Sequence, residues 1–126
     1  MKFITNGYLI AAVIYGIGAI AIGLYMAISQ DHAQIATHAH MNLIGWVSFF
    51  LFGLFYHFFG EKVSIRLAQI QFWLAQLSAP FLFLGVWLVH ANKTELEPIA
   101  AISSLFYAAS FVVFAICVFQ VTRSKS

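Results

Sequence analysis

Four stretches of about 20 apolar residues alternate with short polar breaks, and that alternation sets the expected architecture. Residues 8–28, 34–59, 67–90 and 99–121 each hold a run long enough to cross a bilayer, whose hydrocarbon core needs about 20 residues of helix. The breaks are Ser29-Gln30-Asp31-His32, the charged Glu61-Lys62-Val63-Ser64-Ile65-Arg66, and residues 91–98 with Lys93, Glu95 and Glu97. The pattern predicts an all-α integral membrane protein of four antiparallel helices in one domain, residues 1–126. Glycines punctuate the first two spans, with Gly16 and Gly23 on one face and Gly45 and Gly53 in the second. Such small residues let helices approach closely in lipid, between spans of one chain or of several. Pro80 inside the third span removes an amide donor and predicts a kink or an unpaired carbonyl.

Composition agrees with the bilayer as solvent. The chain is 63% hydrophobic and 8% charged, and its mean hydropathy is +0.92. Lys2 is the one charge ahead of the first run, and no small-residue cleavage site follows that run. It is expected to be a retained span and not a signal peptide. A formal charge of +2 gives no reason to expect a nucleic-acid partner. The distribution of charge is more informative than its sum. Lys2, Lys62, Arg66, Arg123 and Lys125 fall on one side of a four-span topology and only Lys93 on the other. Both termini are therefore expected in the cytoplasm. The expected location is a bacterial inner (cytoplasmic) membrane, with His32, His38, His40 and His90 toward the outer face and His57 toward the inner. Cys117, the single cysteine, cannot form an intrachain disulfide and is expected to be an inert apolar residue. Asp31, Glu61, Glu95 and Glu97 all lie in breaks, so a proton pump built on an acid within a span is not expected.

The chemistry is concentrated where the second span begins, at Thr37-His38-Ala39-His40-Met41-Asn42-Leu43-Ile44-Gly45-Trp46. Helical residues turn by about 100° each, so His38 and His40 point to nearly opposite faces. One helix with this spacing can serve two pockets, but cannot clamp one metal as i,i+4 histidines do. Asn42 and Gly45 leave polar contact and space. Trp46, Phe49, Phe50, Phe52, Phe55 and Tyr56 offer the apolar walls that a porphyrin needs.

His38-Ala39-His40-Met41-Asn42-Leu43-Ile44-Gly45-Trp46-Val47, continued by Gly53-Leu54-Phe55-Tyr56-His57, resembles the tenth helix of the haem–copper oxidase catalytic subunit, above all in C-type oxidases and nitric oxide reductases. Gln71-Phe72-Trp73-Leu74 is similar to the opening of the helix that follows it in that family. The resemblance implies haem b, with His38 toward a high-spin haem and His40 toward a low-spin one. It implies Asn42, Gly45 and Trp46 as cofactor neighbours, and His90 as a further metal ligand with copper as the second metal. The family's subunit has twelve or more spans in three arcs of four, and this chain corresponds to one arc. Neither a second histidine-bearing helix for the low-spin haem nor the three-histidine copper motif is present. A homotrimer rebuilds the ring, with cofactors between protomers and a quinol or a cytochrome as electron partner. The functions implied are electron transfer, with two alternatives: a minimal oxygen or nitric oxide reductase, and a module for haem or copper sensing, handling or assembly.

Overall fold

The computed structural model describes residues 1–124; Lys125, counted above among the cytoplasmic charges, lies outside them. Each apolar stretch is helical. Helix α1 spans Lys2–Ser29, and α2 begins at Ile35 and ends at His40. A π-helical segment, Met41–Ser48, carries the chain on into α3, Phe49–Phe59, and a single 3₁₀ turn, Gly60–Lys62. Together these make one rod, Ile35–Lys62. Helix α4 is Ile65–His90; the short 3₁₀ turn Thr94–Leu96 leads into α5, Glu97–Arg123. The four rods are 28, 28, 26 and 30 residues long. At 1.5 Å per residue each exceeds the roughly 30 Å of a hydrocarbon core.

The breaks have local causes. Gln30 adopts a left-handed conformation (φ 58°) after α1, and its side-chain amide donates to the Ala27 carbonyl at 2.7 Å, covering an end-of-helix acceptor. Asn92, also left-handed (φ 63°), lies in the break after α4, a conformation Asn tolerates better than most residues. Glu97 and Pro98 open α5, where an acid suits the helix dipole and proline loses no intrahelical bond.

Helix α4 is the central packing element: 44% of its apolar window is buried, against 22% for α1. Its Gly85 lies directly against the Ala100 backbone of α5, and at its other end the Ser64 amide donates to Gln120 Oε1 at 2.9 Å. Gln76 reaches from α4 to the Gly7 carbonyl of α1 at 3.2 Å, and Gln34 reaches the Trp87 carbonyl at 3.2 Å. The helix runs unbroken through Pro80; the Ser78 hydroxyl caps the Leu74 carbonyl one turn earlier, at 2.6 Å. Tyr8 is the hub of the core, edge-on to Phe49 and Phe72 and stacked on Tyr56 at 6.1 Å.

The glycines expected to seat spans of the same or of different chains are occupied within this one. Gly16 faces the Trp46 ring and Gly23 the His38 ring, while Gly45 packs on Tyr15 and Gly53 on Leu9. The close approach they permit is that of α1 to the second rod, because any Cβ there would meet a ring or branched side chain within about 3.3 Å.

Candidate functional site

The second rod carries His38 and His40 on the last turn of α2, immediately before the π segment. Their rings have different partners. His38 Nδ1 donates across to the Ala19 carbonyl of α1 at 2.7 Å, and its ring fills the space beside Gly23. His40 Nδ1 donates to the Ala36 carbonyl of its own helix at 2.7 Å. A carbonyl on Nδ1 fixes the tautomer and places the lone pair on Nε2, the usual arrangement of an imidazole that ligates through Nε2. For His38 that lone pair is already engaged: Asn42 Nδ2 lies 3.3 Å from Nε2. Among the described residues His40 has no other hydrogen-bond partner, and it stands about 200° around the rod from His38, which faces α1.

The neighbours expected to line a cofactor divide the same way. Asn42 binds His38, Gly45 is buried on Tyr15, and Trp46 lies over Gly16 and against Phe50 with ring centroids 5.1 Å apart. The structure therefore gathers His38, Asn42, Gly45 and Trp46 at the seam between α1 and the second rod and leaves His40 off that seam. His90, at the end of α4, donates from Nδ1 to the Val86 carbonyl at 2.9 Å. It lines a hollow of about 400 Å³ with Tyr25, Asp31, Gln34 and Trp87, and neither His38 nor His40 borders that hollow. Exposed His32 and His57 stand apart from the pair. His32 bonds the Gln30 carbonyl at 3.0 Å and His57 lies edge-on to Phe58. Among the described residues, no group of three or more His, Cys, Asp or Glu side chains comes together as a metal site.

Two features of the second rod and its surroundings are not foreseen by the sequence. The first is the π segment itself. Its i→i+5 spacing is echoed by the Ser48 hydroxyl donating to the Leu43 carbonyl at 2.7 Å, and Tyr107 of α5 donates to the Ile44 carbonyl at 3.3 Å. Such segments are uncommon and recur at functional sites. The second is a sealed polar cluster at the opposite end of the rod. Gln71 Oε1 accepts from the hydroxyls of Tyr8 at 2.5 Å and Tyr56 at 3.1 Å, and Tyr56 also lies 3.7 Å from Cys117 Sγ. Among the described residues, buried Gln71 Nε2 has no partner.

Compared with family models, curated proteins and solved structures, the chain matches none. The fold and the arrangement of side chains define it as a four-helix bundle whose long apolar helices are those of a membrane protein.

Proposed function

We propose that this protein binds haem b in the membrane and transfers electrons, with His40 as the residue that would hold the iron toward a neighbouring copy of the chain. The observation that carries this reading is the His40 imidazole. Its Nδ1 is tied to the Ala36 carbonyl, which in the neutral ring leaves the Nε2 lone pair for a ligand, and the residue lies about 200° around the rod from His38, the histidine that packs on α1. His90 is tied in the same way and suits the role of a partner ligand; His38 joins it only where Asn42 turns aside. Iron held by two imidazoles supplies a one-electron couple and leaves no open position for a gas. The chain's own part would be to hold the imidazoles and to keep water from them with those apolar side chains of the second rod that lie off the α1 seam; Trp46, packed over Gly16, is not among them. The π segment beginning one residue after His40 adds support, as does the resemblance of this rod to the haem-bearing helix of haem–copper oxidases.

The same reading places the helices antiparallel with both termini cytoplasmic in a bacterial inner membrane. The basic residues support the orientation. The order of contacts supports the antiparallel course, with Leu9 at Gly53, Tyr15 at Gly45 and Gly23 at His38. A homotrimer gives every second rod one neighbour on each side, and a quinol or a cytochrome serves as electron partner. Oxidised and reduced spectra of the protein purified after haem-replete expression test the proposal. A reversible b-type spectrum is expected, lost in His40→Ala and kept in His57→Ala, from a species of three chains by native mass spectrometry. A colourless protein, or equal loss of haem from both variants, refutes it.

A further inference from the structure

A groove of about 910 Å³, within the size range of small-molecule sites, runs along α4 and is walled toward its Phe81 end by Ile99, Ile102, Ser103 and Phe106 of α5. Its α4 wall is a single stripe, from Arg66 through Ile70, Trp73 and Leu77 to Phe81, at the three- and four-residue intervals that share a helix face. From Arg66 to Phe81 the groove follows α4 for about 22 Å, more than the roughly 15 Å of one leaflet and so long enough for an acyl chain with its headgroup at the interface. Two serines in the wall offer nothing polar to an occupant. The Ser78 hydroxyl is turned to the Leu74 carbonyl and the Ser103 hydroxyl to the Ile99 carbonyl, both at 2.6 Å. The open polar groups are gathered at one end, where Arg66 and Gln69 border the groove. Arg66 stands in the first turn of α4, the positive end of the helix dipole. No acid lies in that turn, and Ser64 makes no side-chain capping bond. A cation at a positive helix end, above a trough of hydrocarbon, is complementary to an anion carrying a long apolar tail.

We infer that the α4–α5 groove binds one anionic glycerophospholipid, its phosphate at Arg66 and an acyl chain along the stripe to Phe81. The zwitterionic lipids of the same bilayer fit the trough equally well and differ only at the cationic end, so selectivity resides in Arg66. One cation near an anionic headgroup contributes about a fivefold preference. The inference requires only that the helices lie in a membrane and is independent of any haem.

The experiment is native mass spectrometry of the detergent-solubilised full chain, titrated with an equimolar mixture of phosphatidylglycerol and phosphatidylcholine of identical acyl chains. One retained phosphatidylglycerol per chain is expected, at about fivefold preference over phosphatidylcholine. Arg66→Gln brings the ratio to about one, Arg66→Lys keeps most of it, and Lys2→Gln, which removes a cation outside the groove, leaves it unchanged. Arg66 is exposed, so neither substitution removes packing. Leu77→Trp, which fills the trough, lowers retention of both lipids together. Equal retention of the two lipids by the unaltered chain, or a preference that survives Arg66→Gln, overturns the inference. So does an oligomer that dissociates on Leu77→Trp, which would assign the face to a second copy of the chain.

Discussion

Two glycine-to-alanine substitutions should have opposite effects although both lie mid-helix and both add one methyl group. In a helix, alanine is favoured over glycine by about 0.8–1.0 kcal/mol. At Gly18 the new Cβ would come within 2.6 Å of Met41 Cε, the far end of an unbranched side chain with three rotatable bonds. Turning Met41 aside costs about 0.5 kcal/mol, so Gly18→Ala is expected to be neutral or stabilising by about 0.5 kcal/mol. At Gly85 the new Cβ meets backbone: it would lie 2.7 Å from Ala100 Cα and closer still to the Ala100 nitrogen. Backbone cannot rotate away, so α4 and α5 must separate. Overpacking of this kind costs about 1–3 kcal/mol, and a backbone obstacle belongs at the upper end. After the propensity gain, Gly85→Ala is expected to destabilise by about 2 kcal/mol. Reversible unfolding in mixed micelles, followed by helical circular dichroism, measures both. A Gly85→Ala protein as stable as the unaltered one refutes the reasoning, because the contact would then not be rigid.

Gln71→Leu removes two hydrogen bonds, each worth about 0.6 kcal/mol inside a membrane protein, and with them a buried unpaired amide that costs about 1–3 kcal/mol. Stability in the same micelles should stay level or rise by up to about 2 kcal/mol, and a loss above about 1 would mean that leaving the two tyrosine hydroxyls unpaired outweighs removing the unpaired amide. Tyr107→Phe deletes the bond to the Ile44 carbonyl and should cost about 0.6 kcal/mol. Amide hydrogen exchange should quicken within Met41–Ser48 and stay unchanged in α4; uniform quickening would contradict a local role. Pro80→Ala restores a donor for the Gln76 carbonyl without disturbing a buried contact, since Pro80 is exposed. It should stabilise by about 1 kcal/mol, and destabilisation would mean that the helix is fitted to its missing bond.

What the sequence could disclose depended on range. The four helices were legible because an apolar run of some 20 residues speaks for itself, and the glycines of the first two spans were legible as places of close approach. Their partners were not: nothing in Gly45 announces Tyr15, or in Gly23 the ring of His38. The 100° step between residues was enough to expect His38 and His40 on different faces, but only tertiary structure shows Ala19 and Asn42 occupying both nitrogens of His38. Gln71 stood out only as the first residue of Gln71-Phe72-Trp73-Leu74, the stretch similar to a family helix. Its partners Tyr8 and Tyr56 lie on two other helices, and Cys117, which Tyr56 also reaches, lies on a third; no periodicity connects them. Arg66 read as a loop charge, whereas it stands on the first turn of α4 beside the groove. The π segment had no sequence signal, because its residues are as apolar and as helical as those around them.

That segment gives the second rod an unusual freedom in length. Wherever a chain closes its turns across five residues rather than four, it stores a surplus residue without passing the rotation on. The stretch ending in His40 keeps its hold on Ala19 and Gly23, and the stretch beginning at Phe49 keeps Tyr8 and Phe52 in register. A single deletion between Met41 and Ser48 can therefore be absorbed by reversion to ordinary α-helix, with both flanks still facing their neighbours. The same deletion in α4 or α5 would swing every later side chain by about 100°. Of the four membrane-length rods, this one can lose a residue without losing its aim, and the place where it can do so adjoins its histidines.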